Sequence, residues 1–126
     1  MIVVDANVII AFWTPDDPHA DESMEILDTE EDLVLHPVTL AETLVWPVRE
    51  GREDEAVQDI ARLGVERHAP LLDEPVRVAR LCAESRLKLP DAFVLATTEE
   101  LGATLATFDQ RLADVARERG VPVLGA

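Results

Sequence analysis

The chain has 126 residues, 48% of them hydrophobic, which suits one domain with one core over residues 1–126 and excludes a disordered tail. Its single cysteine, Cys82, excludes an internal disulfide, and no apolar run approaches the roughly 20 residues that span a bilayer. The formal net charge of −15 is the wrong sign for a nucleic-acid binder, yet it is unevenly spread: residues 15–32 hold nine acids and no Lys or Arg, leaving 17 acids against 11 bases elsewhere.

In chain order, strand and helix signals alternate. Ile2-Val3-Val4 is a short apolar run of the kind parallel sheets bury, and Asp5 lies within this first apolar stretch with no basic n-region before it. The expectation is a cytoplasmic protein without a signal peptide or membrane segment. A short helix over 8–12 follows. Asp17-Pro18 reads as an N-cap with proline at the first helical position. Its helix carries Met24, Ile26 and Leu27. Leu33-Val34-Leu35 is a second strand, closed by His36-Pro37, and helices are expected over 39–48 and 53–63, with Gly64 as a stop. A weaker strand falls at 65–68. Asp73-Glu74-Pro75 opens a helix to about Ser85, and Pro90-Asp91 opens another over 92–101, apolar nearly all round and therefore central. Thr104-Leu105-Ala106-Thr107 is a strand, Asp109 caps a helix over 110–119, and residues 121–124 form an edge strand that tolerates Pro122. Such alternation predicts an α/β fold: a three-layer α/β/α sandwich with a central four- or five-stranded parallel sheet. Ligands of open parallel sheets sit at the carboxyl ends of the strands.

Four acids fall where that edge would be. Asp5 follows the first strand and Asp109 the strand at 104–107. Both can equally be helix caps. Asp91 lies in a first helical turn, where the helix macrodipole also favours an acid. Glu42 shares a stripe with Val38 and Trp46 at i, i+4 and i+8, with Thr39 and Thr43 reading as the polar face. A carboxylate among apolar neighbours is costly unless paired or metal-bound. Carboxylates gathered at one edge repel and raise one another's pKa. A hard divalent cation relieves that conflict, and all-oxygen ligation suits Mg2+ or Mn2+ rather than zinc.

The segments Ile2-Val3-Val4-Asp5-Ala6-Asn7, Glu42, Leu89-Pro90-Asp91-Ala92 and Leu105-Ala106-Thr107-Phe108-Asp109, in this order, resemble the PIN-domain ribonucleases. The length of the chain makes it similar to the VapC-type toxins of toxin–antitoxin pairs. The resemblance implies a metal-dependent endoribonuclease, using Mg2+ or Mn2+ to hydrolyse phosphodiester bonds of single-stranded or looped RNA. It also implies a homodimer held in check by a small antitoxin protein. Asp5, Glu42, Asp91 and Asp109 match the acidic quartet, expected to be both catalytic and metal-ligating. Asn7 and Thr107 match supporting polar positions.

RNA binding needs positive charge, and Arg86, Lys88 and Arg111 lie nearest the quartet in sequence; Arg49 and Arg52 are further candidates. Trp13 and Trp46 read as core or partner interface. Cys82 reads as core. His19, His36 and His68 have no metal-ligand spacing. Two other functions compete: a non-catalytic PIN-like partner-binding module, and a receiver-type signalling domain, which would want paired acids after the first strand and a late lysine where this chain has only Lys88.

Overall fold

A computed structural model describes all 126 residues. In chain order it contains β1 (Ile2–Val4), α1 (Ala6–Phe12), α2 (Ala20–Leu27), β2 (Leu33–Leu35), α3 (Pro37–Arg49) and α4 (Glu53–Arg62). It continues with β3 (Val65–Arg67), α5 (Glu74–Ser85), α6 (Leu89–Leu101), β4 (Thr104–Thr107), α7 (Gln110–Glu118) and β5 (Val123–Gly125). All strands pair in parallel, in the order β3-β2-β1-β4-β5. The order reverses direction between β1 and β4, and such a switch point is where open sheets hold their ligands. A receiver domain follows the order 2-1-3-4-5, so the topology removes that alternative.

Alternation along the strands divides the core in two. Val3 and Leu105 face a cluster with Val78, Leu81, Val94, Leu95 and Leu112 from α5, α6 and α7. Ile2, Val4 and Ala106 face the other way, onto Val8, Ile9, Ile26 and Ile60 from α1, α2 and α4. The expected three-layer α/β/α sandwich is therefore present, with every β1 residue fully buried. The α6 helix buries Ala92 and every residue from Val94 to Thr98, as its apolar composition required. No helix is long and apolar enough to cross a membrane.

Four local expectations change. Asp17 does not cap α2: its carboxylate accepts from the His19 N–H, closing a turn, and the helix starts two residues after Pro18, at Ala20. The last strand begins at Val123 rather than 121, because the Val121 N–H is tied back to Ala116 O at the end of α7 and pairing starts with Leu105 against Val123. Most consequentially, the faces of α3 are reversed. Thr39 and Thr43 are buried, whereas Val45 and Trp46 stand exposed at 48% and 64%. Thr43 can face the core because its hydroxyl donates to the Thr39 carbonyl one turn back. Cys82 is only partly buried, at the margin of the first cluster.

Candidate active site

Asp5 stands at the carboxyl end of the central strand β1, where its backbone N–H bonds to Ala106 O across the switch point. Its side chain is 5% exposed and fully engaged. Oδ1 accepts from the Ala6 N–H at 2.8 Å, capping α1, and Oδ2 accepts from the Thr107 hydroxyl at 2.8 Å and from Asn7 Nδ2 at 3.2 Å. Asn7 extends the net: its Nδ2 also reaches Thr107 Oγ1, and its Oδ1 accepts from the Phe108 N–H at 3.1 Å. Thr107 Oγ1 in turn accepts from the Asp109 N–H at 3.0 Å. Asp109 Oδ1 caps α7 through the Leu112 N–H. Both aspartates are therefore helix caps, and both also converge on one edge.

Electrostatics ties the four acids together. Burial raises the Asp5 pKa to about 6, against the lowering pull of the Thr107 and Ala6 hydrogen bonds, with Asp91 and Asp109 adding repulsion. Partial desolvation raises Glu42, and Asp5 and Asp91 raise it further. Desolvation also raises Asp91, with Asp109 adding to it and Lys88 and Arg111 opposing. So the structure brings together all four predicted acids. Glu42 arrives for a different reason than its stripe implied: it is an exposed residue on the outward face of α3, not an anion buried among apolar neighbours. No three His, Cys, Asp or Glu side chains converge tightly enough to cage a metal ion outright.

Of the candidate cations, Lys88 and Arg111 are close enough to Asp91 to act on its ionisation. Arg86 closes α5 in a left-handed conformation, φ 60°, and its carbonyl accepts from Arg111 Nη2 at 3.0 Å. Arg49 and Arg52 are drawn away, to the Trp46 ring and to Glu55. His36 serves structure: Nδ1 accepts from Val38 N–H to cap α3, its ring stacks on Phe93, and Nε2 lies 2.8 Å from buried Glu74. Nothing local marks Glu74 in the sequence, where it reads as an ordinary acid ahead of a helical proline. His68 pairs with Glu100 at 2.6 Å. His19 stacks on Phe108, with ring centroids 4.2 Å apart.

An all-parallel 3-2-1-4-5 sheet with carboxylates at its switch point defines a PIN-like α/β/α protein. The PIN domain family model matches residues 2–118, and the chain belongs to that family. Its fold is similar to that of a toxin–antitoxin complex from Klebsiella pneumoniae (TM-score 0.76, 22% identity, covering 98% of this chain and 96% of that one). It is similar also to the Mycobacterium tuberculosis VapC20, a Sarcin-Ricin loop cleaving toxin (TM-score 0.74, 17% identity, 91% and 95% covered). A third is FitAcB from Neisseria gonorrhoeae (TM-score 0.72, 19% identity, 98% and 96% covered). Among curated proteins no match is found.

Proposed function

We propose that the chain is a divalent-cation-dependent endoribonuclease that hydrolyses phosphodiester bonds of single-stranded or looped RNA, acting in the cytoplasm as the toxin of a toxin–antitoxin pair. The observation that carries this reading is the gathering of four carboxylates at the β1/β4 switch point, with Asp5, Glu42 and Asp91 raised in pKa first by desolvation and then by repulsion from their acidic neighbours. Their donor set is all hard oxygen, which fits Mg2+ or Mn2+. Asp5 and Asp91 would be the direct ligands, with Glu42 and Asp109 holding waters or ligating in turn. The cation supplies Lewis acidity, making water a better nucleophile and stabilising charge at the leaving 3′ oxygen.

The chain's own groups do the rest. Thr107 and Asn7 fix the orientation of Asp5. Glu42 makes no hydrogen bond within the protein, and its raised pKa suits it to accept a proton from the attacking water. Lys88, Arg86 and Arg111 would hold substrate phosphates beside Asp91. The test is cleavage of single-stranded and stem-loop RNA by the purified protein with Mg2+, Mn2+ or EDTA. Cation-dependent cleavage that disappears in Asp91→Asn is expected; undiminished cleavage in that variant overturns the assignment.

One observation favours a partner as well as a substrate. A groove of about 560 Å³ beside Glu42 is lined by Ile10, Trp13 and Trp46 and rimmed by Glu50, Glu55 and Asp59. That mixture suits an antitoxin segment carrying apolar and basic side chains. Exposed Leu71, Leu72 and Val76 supply an apolar patch for homodimerisation, which sedimentation would test. A partner-binding module without catalysis would keep the groove and fail to bind divalent cations.

A further inference from the structure

We propose that Arg77 and Arg80 of α5 hold the RNA strand at a distance from the cleaved bond, on the α5–α6 side of the catalytic edge. This rests on the ribonuclease reading and adds a substrate path to it. In a chain of net charge −15, positive charge left over from ion pairing is scarce, and its placement is informative. Arg52, Arg62, Arg117 and Arg119 each have a carboxylate within 4 Å. Of the bases that have none, Arg49 lies over Trp46 and Arg67 lies on β3. The others are Arg77, Arg80, Arg86, Lys88 and Arg111, all on α5, the corner into α6, or the start of α7.

Arg77, Arg80 and Arg119 line a cavity of about 270 Å³ with Leu81, Glu84 and Glu99. The two acids there are both held by Arg119, which bonds Glu99 at 3.1 Å and approaches Glu84 at 3.6 Å. Arg77 and Arg80 make no ion pair of their own, and with three arginines against two acids the cavity keeps one positive charge in excess. Arg77 is half-buried and anchored by Nη2 to the Ala96 carbonyl at 3.1 Å, so its guanidinium is held in place with donors to spare. Arg80 is exposed and makes no bond within the protein.

These arginines are linked to the active site by the helix that carries them. At 1.5 Å per residue, Arg80 stands about 9 Å along α5 from Arg86, and Arg77 about 14 Å. Arg86 touches Arg111, and Arg111 and Lys88 act on Asp91. Cations without an ion pair of their own therefore recur from the carboxylates along α5, interrupted by Glu84, towards the far ends of α6 and α7. The acidic helix α2 packs in the core cluster of the opposite face. A polyanionic strand is repelled far less on this side, where the bases nearly match the acids, than on that one.

The test compares oligonucleotides of about 4 and about 20 nucleotides, which bracket the span of a single-stranded site, centred on the same cleaved bond. With Arg77→Ala plus Arg80→Ala, KM for the long substrate should rise about tenfold at unchanged kcat, and the short substrate should be unaffected. The slope of log affinity against log salt should flatten by about one for each phosphate that an arginine no longer neutralises. Arg80→Lys should restore most of the loss. Arg80→Ala alone breaks no internal bond, so it keeps the test sound if removal of the Arg77 anchor disturbs the fold. Equal KM values for wild type and variants on the long substrate, or equal losses on both lengths, overturn the proposal. Long-RNA affinity, measured by fluorescence anisotropy in the Asp91→Asn background, separates the two readings. Weaker binding there supports the arginine path even if the wild type cleaves nothing, and unchanged binding overturns it even if cleavage is robust.

Discussion

The Thr107 hydroxyl donates to Asp5 Oδ2 at 2.8 Å while accepting from the Asp109 backbone N–H at 3.0 Å, so one oxygen couples the ends of β1 and α7. Thr107→Val keeps the shape and removes the hydroxyl. It leaves Asp5 with one fewer donor and the Asp109 N–H without its acceptor. Denaturant unfolding should show a destabilisation of about 1–3 kcal/mol. Cation-dependent cleavage should fall with it, and Thr107→Ser should recover both.

Asp5 makes stability depend on pH with an unusual sign. Its folded pKa of about 6 lies above the ordinary aspartate value of 3.8, so the folded state holds a proton that the unfolded state releases. The stability it contributes is complete below pH 4 and is lost as pH rises through 6, amounting to about 3 kcal/mol. Asp5→Asn keeps the cap and cannot ionise. Its NH2 stands where Oδ2 accepts from Thr107 and Asn7, a cost that does not vary with pH. In the cation-free protein its stability relative to wild type should therefore rise by roughly 2–3 kcal/mol between pH 4 and pH 7.5. A constant difference across that range would contradict the buried, raised Asp5. Added Mg2+ should narrow the gap at pH 7.5.

The pair of His36 and Glu74 is a structural joint. Because His36 Nδ1 accepts from the Val38 N–H, its proton resides on Nε2 and is donated to Glu74 Oε1 at 2.8 Å. His36→Ala removes the α3 cap and isolates a buried carboxylate, and should cost about 3–5 kcal/mol. Glu74→Gln preserves the acceptor and should stay within about 1 kcal/mol of wild type. Neither should alter kcat for RNA cleavage in protein that remains folded.

Trp46 predicts the reverse pattern. At 64% exposure it contributes little to folding, so Trp46→Ala should change stability by no more than about 0.5 kcal/mol. Co-purification of an antitoxin expressed with the chain should weaken markedly.

Much of the fold is legible in the sequence alone. Short apolar runs, glycine stops and helix-opening prolines locate all five strands and seven helices, because those signals are local. The alternation of elements puts Asp5 and Asp109 just past strand ends, but only the pairing of β1 with β4 makes those ends neighbours. Glu42 is singled out for an inverted reason. Helical periodicity gives the stripe but not its direction, and in α3 the threonines face inward, Thr43 by bonding its own helix backbone. Asp17 misleads because an Asx turn uses the same residue pair as an N-cap. The joint between His36 and Glu74 and the isolation of Arg77 and Arg80 depend on residues far apart in sequence, and no local pattern announces them.

The hydrogen bonds of the quartet divide it. Asp5 and Asp109 each cap a helix and share Thr107, whereas the carboxylates of Asp91 and Glu42 bond to no protein group. On the proposed reading, truncating either member of the first pair should stop cleavage and also loosen the scaffold, leaving the chain exposed to proteolysis. The second pair can be lost without that penalty. On the same reading, Asp91 or Glu42 is the place to make a stable, inert decoy that should occupy a partner without cutting RNA.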